Sequence, residues 1–261
     1  MPVSFRERLR AGEPLVGTFI KTPTFHTAEV IGDVGFDFIV IDQEHGPFDR
    51  VATDAVLVGA RAAGIAALVR VRTSAAHDML GALDDGADGV IVPHVSTAEI
   101  ARSVVGGARY RGGHRGFSSS PRAGRYGGAS IWEHVDRGDA NTAVVAMIED
   151  PEALSIVDSI AAVDGIDALF IGRGDLTVAL NAPSPDSPPI REAVERIAAS
   201  GRAQGKALCV HTGRIDAAEI AWMRGLGVTA FIVSSDQGLM RTAATNVLSE
   251  FKKHAFVGGV R

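Results

Sequence analysis

Cysteine, tryptophan and tyrosine are scarce in this chain: one Cys, two Trp and two Tyr among 261 residues. A single cysteine, Cys209, excludes an internal disulfide and fits a reducing, cytoplasmic compartment. It lies in an apolar run, which makes it a structural thiol in preference to a nucleophile. Long hydrophobic runs are also missing, and none approaches the ~20 residues of a membrane span. The segment Ser4-Phe5-Arg6-Glu7-Arg8-Leu9-Arg10 is charged and amphipathic, without the apolar stretch of a secretory signal. It reads as a short helix closing one end of the fold, and the acids Glu7 and Glu13 weigh against a targeting role. An excess of basic charge is lacking too. The net charge is −5, so the basic face that non-specific nucleic-acid binding needs is not expected. No Gly-x-Gly-x-x-Gly follows the first apolar run, which leaves a dinucleotide-binding sheet without support.

What is present is a repeating alternation. Eight short apolar runs occur: Leu15 to Ile20, Phe36 to Ile41, Ala66 to Val71, Gly89 to Val92, Ala143 to Ile148, Ala168 to Gly172, Ala207 to Val210 and Ala230 to Val233. They are continuous rather than alternating, as parallel strands covered on both faces are. Helical stretches lie between most of them: 27–34, 51–63, 74–85, 97–107, 151–163, 189–204, 215–226 and 237–253. Strand–helix alternation repeated in this way predicts an α/β fold, a closed (β/α)8 TIM barrel, with an open doubly wound sheet as the rival. The length suits one barrel domain over residues 1–261, since such barrels take about 250 residues. The connection 109–141 breaks the rhythm. It is rich in Gly, Ser and Arg, follows the fourth helix, and is expected below the active face, at a subunit contact or as a lid, with a helix over Ser130 to Val135. The Pro- and Ser-containing stretch Ala182 to Pro189 is a plainer candidate for a loop on the active face.

The runs end in chemistry. The second leads into Asp42-Gln43-Glu44-His45, the third into Arg70 and Arg72, the fifth into Glu149-Asp150 and the sixth into Asp175. In α/β barrels the C-terminal strand edge is where active sites are built. Glu149 and Asp175 lie after adjacent strands and together can hold one hard cation, with waters and substrate oxygens completing the shell. Taken singly, each acid reads as well as a cap of the following helix. His45 is the candidate proton shuttle, with Asp42 to orient and polarise it. Arg70, at the end of an apolar run, must be neutralised or face a polar cavity, and its planar fork suits a carboxylate or enolate oxygen. Arg72 reads as solvated or bridging, Lys21 as the one lysine placed for a Schiff base, and His94 and His211 as minor candidates for the pocket wall.

These motifs together resemble the HpcH/HpaI aldolase family. They are Gly17-Thr18-Phe19-Ile20-Lys21, Gly35-Phe36-Asp37-Phe38 running to Asp42-Gln43-Glu44-His45-Gly46, Val69-Arg70-Val71, Asp88-Gly89-Val90-Ile91-Val92-Pro93, Ile148-Glu149, and Phe170-Ile171-Gly172-Arg173-Gly174-Asp175-Leu176. The resemblance implies a phosphoenolpyruvate/pyruvate-type barrel assembled as a homohexamer, a trimer of dimers, with the C-terminal helix 237–253 exchanged between subunits. It implies a class II aldolase, a carbon–carbon lyase that converts 4-hydroxy-2-keto acids reversibly to pyruvate and an aldehyde on a divalent cation, Mg²⁺, Mn²⁺ or Co²⁺. Glu149 and Asp175 would be the metal ligands, and Arg70 would hold the keto or enolate oxygen. His45 with Asp42 would move protons, and the backbone at Gly174 and Asp175 would receive the carboxylate.

The chain departs from the family pattern in three places. Met147 stands at a substrate-facing position where many members have Gln, Arg173 where many have Pro, and Arg111-Gly112-Gly113-His114 where many have Pro-Pro-x-Gly. These departures bear on the aldehyde side of the pocket. Three rivals keep the barrel. One is a citrate-synthase-like or CoA-thioester lyase reaction on the same metal site, with Arg109, Arg111, Arg115, Arg122 and Arg125 serving a CoA phosphate. The others are a Lys21 Schiff-base aldolase and a non-catalytic scaffold.

Overall fold

A computed structural model describes residues 3–255. Eight parallel strands close into a barrel in sequence order. They are β1 (Leu15–Ile20), β2 (Phe38–Asp42), β3 (Ala66–Arg70), β4 (Gly89–Val92), β5 (Ala143–Ile148), β6 (Ala168–Ile171), β7 (Ala207–Thr212) and β8 (Ala230–Ser235). The open-sheet rival is thereby set aside, because β1 pairs with both β2 and β8. The helices are α1 (Phe5–Arg10), α2 (Phe25–Val34), α3 (Arg50–Ala63), α4 (Ala76–Asp84), α5 (Ala98–Ala108), α6 (Ile131–Asn141), α7 (Pro151–Ala161), α8 (Arg173–Ala179), α9 (Pro188–Ala203), α10 (Ala217–Gly225) and α11 (Asp236–Ala255). No helix among the described residues is long and apolar enough to cross a membrane.

The period of two along each strand sorts side chains into two cores. Leu15, Phe19, Phe38, Val40, Leu68, Ile91, Val145, Met147, Phe170, Cys209 and Ile232 fill the barrel interior. The alternate residues, such as Ile39, Ile41, Val69, Val144, Leu169 and Val210, pack outward against the helical shell. This two-sided burial is why the strands read as unbroken apolar runs. Cys209, enclosed in the interior, has its thiol pushed well above the ordinary range by burial. Helix α1 begins with a Ser4–Glu7 capping box and plugs the N-terminal end, where Phe5 meets Phe38 at 5.1 Å between ring centroids.

The segment 109–141 lies at that same N-terminal end. Arg109 donates to the carbonyl of Thr142 at 2.8 Å and pairs with Asp167 at 3.3 Å, both residues standing just before their strands. The segment contains a short 3-10 turn (Arg122–Gly127) and α6, which starts on a Ser130 cap and runs six residues beyond the expected Val135. Its arginines are committed to carboxylates: Arg111 to Asp136, Arg115 to Asp84, Arg122 to Asp54 and Arg125 to Glu133. At the other end of the chain, the buried Asp236 accepts the backbone N–H groups of Lys21 and Thr22, at 2.9 and 3.0 Å. Beyond it, α11 leaves Met240, Val247, Leu248 and Phe251 exposed.

Candidate active site

Inward parity carries the barrel interior up to its C-terminal mouth. In β2 the residues Phe38, Val40 and Asp42 point inward, in β3 Leu68 and Arg70, in β5 Val145 and Met147, and just after β5 Glu149 continues the same parity. Asp42 and Arg70 stand opposite each other in the β2–β3 register. Their pair is bidentate, with Arg70 Nε and Nη2 donating to the two carboxylate oxygens at 2.9 and 2.7 Å. Lys21 Nζ lies 3.0 Å from the same carboxylate. Burial by itself raises the Asp42 carboxyl, but the Arg70 hydrogen bonds and charge outweigh it and hold the group below its ordinary value. Arg70 also lies over the Phe19 ring, 4.7 Å from its centroid, and its Nη1 is 3.2 Å from Glu44. The guanidinium is thus fixed in plane from two sides, as a carbonyl-binding fork needs.

His45 sits on the rim with more than half of its side chain exposed. Asp42 reaches the backbone N–H of His45, at 3.1 Å, while the imidazole Nε2 faces Glu44 at 3.9 Å. Asp42 therefore orients Arg70 and the turn, and it touches His45 through the main chain. Gly46 makes this turn possible, because a Cβ there would come within 2.4 Å of the Asp42 carbonyl.

Glu149 is only 2% exposed. Its carboxyl is pushed up to about 7 by burial, against the pull of the His94 backbone N–H and imidazole, with Asp175 and Glu44 adding to the rise. A buried acid crowded by carboxylates is a cation's place. Glu44, His94 and Glu149 each offer a ligand atom, all within 4.8 Å of one another. Glu44 Oε2 is buried and makes no hydrogen bond among the described residues, its cationic neighbour being Arg70 Nη1 at 3.2 Å. These donors, oxygen and imidazole nitrogen, fit a divalent cation. Asp175 is an exposed residue in the first turn of α8 and lines the pocket beside Gly174. Gly172, which ends β6, packs so closely on Glu149 that a Cβ would lie 2.4 Å from that residue's own.

Arg70, Lys21 and Asp175 line a pocket of about 1030 Å³ whose wall also includes Phe19, Met147, Gly174 and His211. His211 lies against Phe19 at 5.4 Å between centroids, and enclosure, with Arg70 and Lys21 nearby, pushes its imidazole down to about 4, leaving it neutral at pH 7. Lys21 reaches the pocket wall with its amine paired to Asp42. Arg72 bridges to the Phe48 carbonyl. Pro185 and Asp186, from the stretch expected to form an active-face loop, do reach the pocket wall.

Two features of the site had no clear signal in the sequence. The first is His94, whose left-handed backbone (φ 54°) turns it onto the Glu149 side of the mouth. The second is an ion-pair chain along the outer wall. Arg173 bonds Asp186 at 2.6 Å and Glu219 at 2.7 Å, Glu219 also meets Arg191 at 3.1 Å, and Arg191 stacks on Trp222 at 4.2 Å. Arg173 was marked in the sequence only as a departure from Pro, and its partners lie on elements that barrel closure brings together.

Comparison with known proteins agrees with this geometry. Residues 15–241 match the family model described as HpcH/HpaI aldolase/citrate lyase. A 5-keto-4-deoxy-D-glucarate aldolase from Salmonella paratyphi C is 31% identical over 257 residues, 97% of this chain and 98% of that protein. The crystal structure of an HpcH/HpaI aldolase from Desulfitobacterium hafniense superposes with a TM-score of 0.90 at 26% identity, covering 99% of each chain. That of the citrate synthase SbnG gives 0.87 at 30% identity, covering 97% of this chain and 98% of that one.

Proposed function

The chain belongs to the HpcH/HpaI aldolase/citrate lyase family, and from that membership we propose how its site works as a metal-dependent class II aldolase. The reaction is the reversible cleavage of 4-hydroxy-2-keto acids to pyruvate, or a close analogue, and an aldehyde. The observation that carries this reading is the buried Glu149 carboxyl beside Glu44, facing the Asp42-locked fork of Arg70. With relatives named 5-keto-4-deoxy-D-glucarate aldolase at 31% identity, the keto acid in that name is the first substrate to assay.

Glu149 and Asp175 would hold the cation, with Glu44 beside Glu149 at the same cluster. When bound, the cation polarises the 2-keto group and stabilises the charge that grows on its oxygen. Arg70 donates to the same oxygen from a guanidinium that needs no reorganisation as charge develops. The backbone at Gly174 and Asp175 receives the substrate carboxylate, and Met147 lies beneath it as an apolar floor. His45, on the solvent rim, exchanges a proton with the 4-hydroxyl, through a water where it does not reach directly. The ion-pair chain of Arg173, Glu219 and Arg191 frames the aldehyde side.

The assembly is a homohexamer, a trimer of dimers. Support comes from α11, whose Met240, Val247, Leu248 and Phe251 are exposed on the isolated chain and suit burial against another subunit. In this reading the segment 109–141 also lies at subunit contacts. A single barrel domain over 1–261, Mg²⁺, Mn²⁺ or Co²⁺ as the cation, and a cytoplasmic location that suits the lone buried thiol complete the reading.

The test is exchange of the pyruvate methyl protons in D₂O, followed by NMR. Exchange that stops with EDTA, returns with Mn²⁺ and is lost in Glu149→Gln is the expected result. Exchange that survives chelation would point to Lys21 instead. A citrate-synthase reaction is the second reading, favoured by the 30% identity to SbnG. It predicts turnover of oxaloacetate with acetyl-CoA. The arginines of the 109–141 segment give it no support, since their partners are carboxylates of the same chain at the opposite barrel end.

A further inference from the structure

His94 is an unusual residue to find in a strained turn directly above a metal-binding acid. Its φ of 54° lies in the left-handed region, which non-glycine residues seldom adopt and which tends to persist where the surroundings impose it. Here the imposed geometry is specific. The backbone N–H of His94 donates to Glu149 Oε1 at 2.8 Å, which pins the turn to the acid. The same turn swings the imidazole over the mouth, where Nδ1 lies 3.0 Å from Asp150 Oδ1. A carboxylate accepts only, so that contact assigns the proton to Nδ1 and leaves a lone pair on Nε2. Nε2 makes no hydrogen bond among the described residues. The nearest carboxylate oxygen recorded for it, Glu44 Oε1, is 3.8 Å away, too far for a hydrogen bond.

A separation of 3.8 Å does suit two atoms that share an ion. Ligand atoms each about 2.1 Å from one metal stand about 3.0 Å apart at a right angle and about 4.2 Å apart when opposite. Glu149 joins the cluster: ligand atoms of Glu44, His94 and Glu149 all lie within 4.8 Å of one another, and the imidazole contact recorded to Glu149 is Nδ1 to Oε1 at 3.6 Å. The arrangement of Asp150, His94 and an ion is that of a carboxylate–histidine–metal triad, in which the outer carboxylate fixes the tautomer and makes the imidazole a better donor.

We propose that His94 supplies an imidazole ligand, through Nε2, to the divalent cation held by Glu149, and that Asp150 is its positioning residue. The proposal rests on the metal-dependent reading given above and adds a consequence for the choice of ion. A shell of carboxylates and waters suits Mg²⁺ or Mn²⁺, whereas an imidazole in the shell moves preference toward Co²⁺, Ni²⁺ and Zn²⁺. The charged groups facing His94 are Glu44 after β2 and Glu149 and Asp150 after β5.

The experiment is calorimetric titration of EDTA-stripped protein with Co²⁺ and separately with Mg²⁺, for wild type, His94→Ala, Asp150→Asn and Glu149→Gln. His94 is 61% exposed, so its truncation leaves the core untouched, and circular dichroism checks this. The expected result is that His94→Ala weakens Co²⁺ by about 10- to 100-fold or more and leaves Mg²⁺ nearly unchanged, with a smaller Co²⁺ loss in Asp150→Asn. Nitrogen hyperfine coupling in the electron paramagnetic resonance of protein loaded with one equivalent of Cu²⁺ should vanish in His94→Ala. If His94→Ala shifts Co²⁺ and Mg²⁺ equally, or neither, while Glu149→Gln abolishes both, the imidazole ligand is wrong and the metal site stands. If Glu149→Gln binds Co²⁺ as wild type does, the metal reading itself has failed.

Discussion

At the scale of single residues, the site is governed by how charge is neutralised without water. Asp42 is completely buried, and its bond to Arg70 is a planar fork that lysine cannot reproduce. Arg70→Lys keeps the charge but gives up the second hydrogen bond and the stacking on Phe19. The expected loss in kcat/KM is about 100-fold, near 2.7 kcal/mol, measured at saturating metal. Glu149 presents the opposite problem, a buried acid whose carboxyl is raised from the usual 4.5 to about 7. Between those values the folded state holds a proton that the unfolded chain has released. Its contribution to stability therefore falls as pH rises from about 4.5 to 7 in metal-free protein. His211, pushed down to about 4, acts in the reverse sense over part of that range. The measurement is thus the difference in Tm between wild type and Glu149→Gln across that range. Wild type should lose ground relative to the variant as pH rises, and 1 mM Mn²⁺ should remove the trend. A constant difference would mean that Glu149 is not held protonated.

At the scale of elements, the strand ends matter more than the strands. Gly172 closes β6 with φ −84°, a value alanine accepts, so the objection to a side chain there is contact with Glu149 and not backbone strain. Gly172→Ala should leave the fold intact by circular dichroism while displacing Glu149. Metal affinity should fall by about tenfold or more, as disturbing the support of a metal ligand does. Unchanged affinity would show that Glu149 has slack.

The same strand ends show what was legible in the sequence. The eight apolar runs correspond to the eight strands because two-sided burial leaves no polar alternation to obscure them. Asp42, Arg70 and Glu149 could be read as mouth residues because each follows such a run. Helix α8 could not, since it has seven residues and Gly174 inside it. His94 was barely visible, because its role depends on a left-handed turn that apolar patterning does not encode. The pair of Arg173 with Glu219 needed the closed barrel to bring α8 and α10 to one wall.

At the scale of the whole molecule, α11 is the element that an isolated chain does not explain. Among its described residues only Asp236 is buried, and Leu239 is partly buried against the core. Replacing both Val247 and Phe251 with Glu should shift the light-scattering mass from that of the proposed hexamer to smaller species while the barrel stays folded. An unchanged mass would remove α11 from the interface. The predicted shift follows from setting like charges on a surface that assembly would bury.

The plug formed by α1 has one more consequence. With Phe5 and Leu9 covering the N-terminal end and packed side chains filling the barrel above them, the site is reached, among the described residues, from the C-terminal mouth. Traffic through one opening must queue. The keto acid, which belongs on the floor beside Glu149 and Arg70, has to enter before the aldehyde and leave after it. The enzyme should therefore show compulsory-order kinetics, with pyruvate competing against the cleaved keto acid and the aldehyde giving noncompetitive inhibition.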